Sequence, residues 1–387
     1  MSDLGTMALE YGERIDFERL RRERLTRALA EMKRDDLDAL ILGREANARY
    51  VSGARRLWTV GMRPFGPGCV VLREPRAVHL LTTWDEGIPA EIPHENLFPT
   101  TWSPENLMAH LREIPGLGDA RRIGVDGMTP LFDQLLPVAL PKAELADGSA
   151  ALQRARARKT PDEIACLRTA VVLAESALAA VVPRIRPGTG ERVLVGHFHA
   201  EAARLGVTVP AFEASFCATP RAASPSGPPT PRRISANRPL SAGDLVACHA
   251  GVMYAGYEGG VGRSFRCGGG EPTRAQRDLA RRLDELREAL QSACRPGART
   301  SEVCRAYDRC GEPRPAFSIL QGVGLGAEPP IAGPTGDPAE ATLQPDTVLA
   351  LQAYVFAEGV GGCFARDTLH LTEEATLPLN TPSSAVL

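Results

Sequence analysis

No C-x-x-C pair, no short Cys/His spacing of a zinc site and no apolar run of bilayer length is visible in this 387-residue sequence. Its nine cysteines are scattered, which removes the usual signs of a structural zinc or a thiol–disulfide motif and fits a reduced, cytoplasmic setting. About 20 consecutive apolar residues are needed to span a bilayer, so no membrane is expected as a partner. The opening stretch "MSDLGTMALEYGERIDF" has neither the basic start nor the apolar middle of a secretory signal. An excess of one charge is also missing: 45 basic residues face 47 acidic ones, a net charge of −2, so there is no global electrostatic case for nucleic acid. The runs "RLRRER" and "RARARK" are local and read as helix faces and a linker.

What is present is a chain long enough for two domains. Residues 13–34, "ERIDFERLRRERLTRALAEMKR", place Phe17, Leu20, Leu25 and Leu29 near helical spacing. "ALILG" (39–43), "CVVLRE" (69–74), "AVHLLTT" (77–83) and "RIGVDG" (122–127) suit strands, and "ENLMAHLREIP" (105–115) suits a helix. Their alternation predicts a mixed-sheet α/β domain over residues 1–150. A new unit, 151–387, then opens on "RARKTPDEIACLR". There Thr160 is a natural N-cap, Pro161 occupies the first helical position and Glu163 lies three residues after the cap. Further helices are expected at 190–206 and 273–294, with paired strands in "TVLALQAYVF" and "CFARDTLHLT". Between them "LVACHAGVMY" alternates like a strand and "AGYEGG" supplies the glycines of a tight connection.

In this order the elements resemble the pita-bread family of creatinase, prolidase and aminopeptidase P, over nearly the whole chain. "RARKTPDEIACLR" resembles the start of the family's interdomain helix, and "GDLVACHAG" with "YAGYEGGVGRSF" resembles its ligand hairpin. "QGVGLGAEPP" looks like its Gly-rich histidine motif, and "TVLALQAYVF" with "CFARDTLHLTEEA" like its last ligand strands. The resemblance implies an α+β pita-bread C-terminal domain, a curved antiparallel sheet covered by helices, preceded by a smaller creatinase-type α/β domain. It also implies a homodimer.

Active metallopeptidases of the family hold two divalent metals with two aspartates, a histidine and two glutamates. Carried over motif by motif, those positions fall on His249, Gly260, Gln321, Gln352 and Arg366. A guanidinium at a ligand position repels a dication, and glycine offers no side-chain donor. The expectation is therefore no metal and no other cofactor. Creatinase works without metal, but its shuttle histidine falls on Ser226 and its second histidine on Ala327 before Glu328. Its substrate-binding glutamate falls on Gly262 before Arg263.

The reading that follows is a metal-independent enzyme acting on a small carboxylate- or phosphate-bearing molecule, by C–N hydrolysis or another acid/base reaction. His249 would move a proton, Arg366 would clamp the anion, and Gln321 and Gln352 would orient or polarise a carbonyl. Arg263, Tyr257, Glu328 and Ser226 are candidate substrate contacts. Arg56 and Trp58, in "YVSGARRLWTVGMRPFGPG" (50–68), are candidates because family dimers reach over the partner's site with such a loop. Arg366 is expected to pair with Asp367 or Glu328, or to await an anionic ligand. The alternative is a catalytically dead relative that binds a peptide or protein, with His249 a core histidine and Arg366 a structural cation. Glu258 reads as a surface carboxylate. His197, His199, Cys217 and Cys248 read as structural.

Overall fold

The computed structural model describes residues 15–54, 66–82, 87–101, 103–225, 227–333 and 340–381. It divides into two compact units, one of residues Phe17–Arg156 and one containing Ala157–Leu387.

In the first unit, helix α1 (Phe17–Arg34) leads to β1 (Ala39–Leu42), α2 (Glu45–Ser52), β2 (Cys69–Leu72), β3 (Ala77–Leu81) and β4 (Leu97–Phe98). Then come α3 (Pro104–Glu113), β5 (Arg122–Val125), α4 (Pro130–Ala139), β6 (Glu144–Asp147) and α5 (Ser149–Ala157). The six strands run in the order β4-β3-β2-β1-β5-β6. β1 pairs antiparallel with β2 and parallel with β5, so the sheet is mixed, as the alternation of helix and strand in the sequence predicts. The central strands β1 and β2 are apolar along their whole length, and Leu107, Leu111 and Leu136 from the helices close one core over the sheet.

The second unit holds α6 (Pro161–Val181), α7 (Glu191–Arg204), β7 (Ser215–Ala218), β8 (Leu245–Tyr254), β9 (Tyr257–Arg266), α8 (Arg274–Ala293) and α9 (Thr300–Arg309). β10 (Leu320–Gly324), β11 (Gly326–Ala332), β12 (Val348–Ala357), β13 (Gly361–Leu371) and β14 (Thr376–Pro378) follow. The main sheet runs β11-β10-β12-β13-β9-β8-β7 through antiparallel neighbours, with β14 added on β13. α6 starts where the sequence places it. Thr160 Oγ1 accepts from the Glu163 N–H, and Glu163 Oε2 accepts from the Thr160 N–H, which satisfies two otherwise orphaned donors. α8 buries Leu279, Leu283, Leu286 and Leu290, one stripe at helical spacing.

Two sequence readings need correction here. The helical segment Pro161–Arg184 is long and apolar enough, by length and composition, to cross a membrane. Polar residues interrupt it in the written sequence, but Cys166, Leu167, Ala170, Val171, Ala174 and Leu178 are buried, as in the core helix of a domain. A Cβ added at Gly259 on β9 would fall on the backbone of Ala170, so the helix rests directly on the strand and only glycine fits there. In addition, α2, α4, α5 and α9 have no counterpart in the sequence reading, and α5 runs through the expected boundary at 150 and part of the "RARARK" stretch read as a linker. α2 has only eight residues, α4 contains Pro137, and Arg299 rather than a usual capping residue precedes α9.

Candidate active site

Successive side chains of a strand point to opposite faces, so β9 divides its residues between two environments. On one face Tyr257 donates to Glu163 of α6 at 3.0 Å. Arg263 meets Asp367 of β13 at 2.9 Å, and Asp367 also accepts from Arg287 of α8 at 2.9 Å. A second arm of Arg263 donates to the Arg366 carbonyl at 2.9 Å. Tyr257 and Arg263 therefore tie the sheet to its helices rather than lining the site, and Asp367 is not the partner of the Arg366 guanidinium.

The other face carries Glu258, Gly260 and Gly262. Strand register puts His249 of β8 opposite Gly262, Gly262 opposite Arg366 of β13, and Arg366 opposite Gln352 of β12. Four neighbouring strands thus contribute one row, and the positions singled out by the resemblance converge on it. Gln321, on β10, is half-buried; its Oε1 accepts from Ser318 Oγ at 3.4 Å, while Gln352 Nε2 donates to the Ser318 carbonyl at 2.8 Å. Ser318 joins the two glutamines.

Arg366 is 2 % exposed, and its Nη2 forms a buried ion pair with Glu258, itself 4 % exposed. The expected partners are engaged elsewhere, Asp367 as above and Glu328 with the buried Lys159. Glu258 is consequently no surface carboxylate. The guanidinium lies 5.1 Å from the centre of the Phe212 ring, within cation–π range. A Cβ added at Gly260 would fall on Arg366 Nη1. The absence of a side chain at 260 is what gives the arginine head its room.

His249 stacks on Phe212 with ring centres 4.2 Å apart and 8° between planes, and meets the edge of Phe364 at 5.5 Å. Burial, then the cations of Arg366 and Arg232, hold its pKa well below the usual 6.5, so the ring is neutral at ordinary pH. Neither ring nitrogen has a hydrogen-bond partner among the described residues, and the same holds for Arg366 Nη1 and Gln352 Oε1. Buried polar atoms are almost always paired, so these unpaired atoms along one row make it the candidate site.

The donor set does not fit the pair of divalent metals that the fold family implies. A permanent cation occupies the space over Gly260, and His249 is the row's single imidazole. Among the described residues no group of three or more His, Cys, Asp or Glu side chains is placed to hold a metal ion. No step is assigned to a metal.

Ser226, Arg56 and Trp58 lie outside the described residues. Cys217 and Cys248 are buried, and burial pushes both thiols up, which suits structural cysteines. The sequence reading missed Phe212, Ser318, Arg232 and the place of Glu258. For Glu258 a signal existed: positions 258, 260 and 262 share a face by strand alternation. Phe212 and Ser318 lie between elements, where no periodicity applies.

Residues 165–373 match the family described as metallopeptidase family M24, and residues 24–158 match the creatinase/prolidase N-terminal domain. The Xaa-Pro dipeptidase of Pyrococcus horikoshii is 21% identical over 361 residues, 92% of this chain and 95% of that protein. That of Pyrococcus furiosus is 22% identical over 374 residues, 95% of this chain and 100% of the other. Among solved structures, the prolidase from P. horikoshii OT3 superposes with a TM-score of 0.76 at 18% identity, covering 94% of this chain and 100% of that one. An Xaa-Pro dipeptidase from Bacillus anthracis gives 0.74 at 18% identity, with 95% and 99% covered. At these identities the structural likeness is one of fold.

Proposed function

Because the chain belongs to metallopeptidase family M24, with a creatinase/prolidase-type N-terminal domain, we propose that it is a hydrolase of this fold that cleaves a C–N bond of a small anionic molecule without a bound metal. One observation carries the proposal: the Arg366 guanidinium, tied to Glu258, takes the space that Gly260 leaves open in the row. The relatives named Xaa-Pro dipeptidases support C–N hydrolysis as the reaction class. Two cations, Arg366 and Arg232, face one carboxylate, Glu258, which supports an anionic substrate. His249, neutral in its aromatic clamp, offers an unprotonated ring nitrogen for proton transfer. A homodimer in a reducing cytoplasm completes the reading. The nine cysteines form no disulfides, and all except half-buried Cys310 are buried.

A second reading has one observation in its favour. Glu258 already neutralises Arg366 and two aromatic rings clamp His249, which suits a catalytically inactive binding module. The two separate in one experiment. Protein stripped of metal is assayed, with chelator present, against Xaa-Pro dipeptides and N-acylated or amidino amino acids, with elemental analysis alongside. Turnover unaffected by chelator is expected. Turnover that appears only on adding manganese, cobalt or zinc would sink the metal-free reading, and no turnover on any substrate would favour the binding module.

A further inference from the structure

Gly260 and Arg366 are sterically coupled, because any side chain at 260 would collide with the guanidinium. The arginine head is held from two further sides, by Glu258 on Nη2 and by the Phe212 ring 5.1 Å away, while Nη1 has no partner among the described residues. A donor fixed in this way, away from water, needs no reorganisation when negative charge develops in front of it. Resting on the reading of a metal-free hydrolase, we propose that Arg366 is the electrophile of this site. Its Nη1 would receive the oxyanion formed from the substrate carbonyl, with Gly260, Glu258 and Phe212 as positioning residues. Water adds to the carbonyl carbon while a proton passes from it to a His249 ring nitrogen, and the C=O electron pair moves to the oxygen facing Nη1. Collapse restores the C=O bond, breaks the C–N bond and returns the proton from His249 to the leaving nitrogen, giving a carboxylic acid and an amine.

The test uses methylphosphonate, a tetrahedral oxyanion, titrated calorimetrically into the full-length chain with chelator present. One equivalent binds the unaltered protein. Glu258→Gln keeps an acceptor for Nη2 but removes the competing charge, so affinity rises by about threefold or more. Gly260→Ala displaces Nη1, so affinity falls by about tenfold or more. An unaltered protein that fails to bind methylphosphonate, or a Glu258→Gln affinity that stays level or falls, overturns the assignment. The isosteric Glu258→Gln decides the matter if Gly260→Ala does not fold. Hydrolysis that survives Gly260→Ala with unchanged kcat would remove this assignment and leave the metal-free hydrolase standing. Oxyanion binding with the expected variant pattern but no hydrolysis of any substrate would leave Arg366 an anion-binding residue and overturn both its role as electrophile and the hydrolase reading.

Discussion

Along β9, residues 257, 259 and 263 meet helices or the ion network beneath the sheet, whereas 258, 260 and 262 meet the site, and the two sets handle polarity differently. On the helix side Tyr257 has Glu163, and the Arg263–Asp367–Arg287 chain satisfies its charges internally. On the site side His249, Arg366 and Gln352 each keep a buried polar atom without a partner among the described residues. Leaving such an atom unpaired costs about 1–3 kcal/mol. One face ties the sheet to its helices, and the other leaves buried polar atoms unpaired at the expense of stability.

The largest effect should come from the ion pair on the site face. Arg366→Ala removes the ion-pair partner of the buried Glu258 carboxylate and should destabilise the protein by about 3–5 kcal/mol in denaturant unfolding. Arg366→Ala with Glu258→Leu should recover much of that loss, and a double variant no more stable than Arg366→Ala alone would deny the coupling. The neighbouring glycines test the comparison within one strand. Gly259→Ala drives a methyl group into the α6 backbone and should cost about 1–3 kcal/mol or more. Gly260→Ala meets side chains rather than backbone, the Arg366 guanidinium and, at 3.1 Å, the Phe212 ring, so it should cost less stability than Gly259→Ala and more ligand affinity. Equal losses of stability at both positions would erase the distinction.

Tyr257→Phe should cost about 1–3 kcal/mol by stranding the buried Glu163 carboxylate oxygen, while leaving methylphosphonate binding unchanged. A change in binding would move Tyr257 back into the site. The smallest effect concerns pH. The folded His249 holds its pKa below 6.5, so below that pH the unfolded chain binds the proton that the folded chain refuses. Its contribution to stability is fully present above pH 6.5 and is lost as pH falls toward the folded pKa. His249→Phe should flatten that part of the stability profile in thermal melts between pH 7 and 5, and an unaltered slope would show that His249 does not carry it.

The two-unit organisation was readable because it rests on local signals that do not depend on distant parts of the chain. Thr160, Pro161 and Glu163 start α6 through bonds made within four residues, and the paired runs of β12 and β13 declare themselves by composition. The candidate site was legible only as a set of positions. Resemblance brought His249, Gln321, Gln352 and Arg366 together, and strand register places the first, third and fourth in one row with Gly262. It misassigned the partner of Arg366, because Asp367 is adjacent in sequence but points through the opposite face, where Arg263 and Arg287 take it.

By itself, then, the sequence determined the order of elements, the cap of α6, the chemistry available at 249, 260, 321, 352 and 366, and the absence of a carboxylate from those five places. Only the tertiary structure decided that Glu258 neutralises Arg366, that Gly260 is the space the guanidinium fills, and that Phe212 supports both Arg366 and His249. The reason is geometric. A long cationic side chain takes whichever partner lies on its own face within its reach, and faces become neighbours only when strands from distant parts of the chain settle into register.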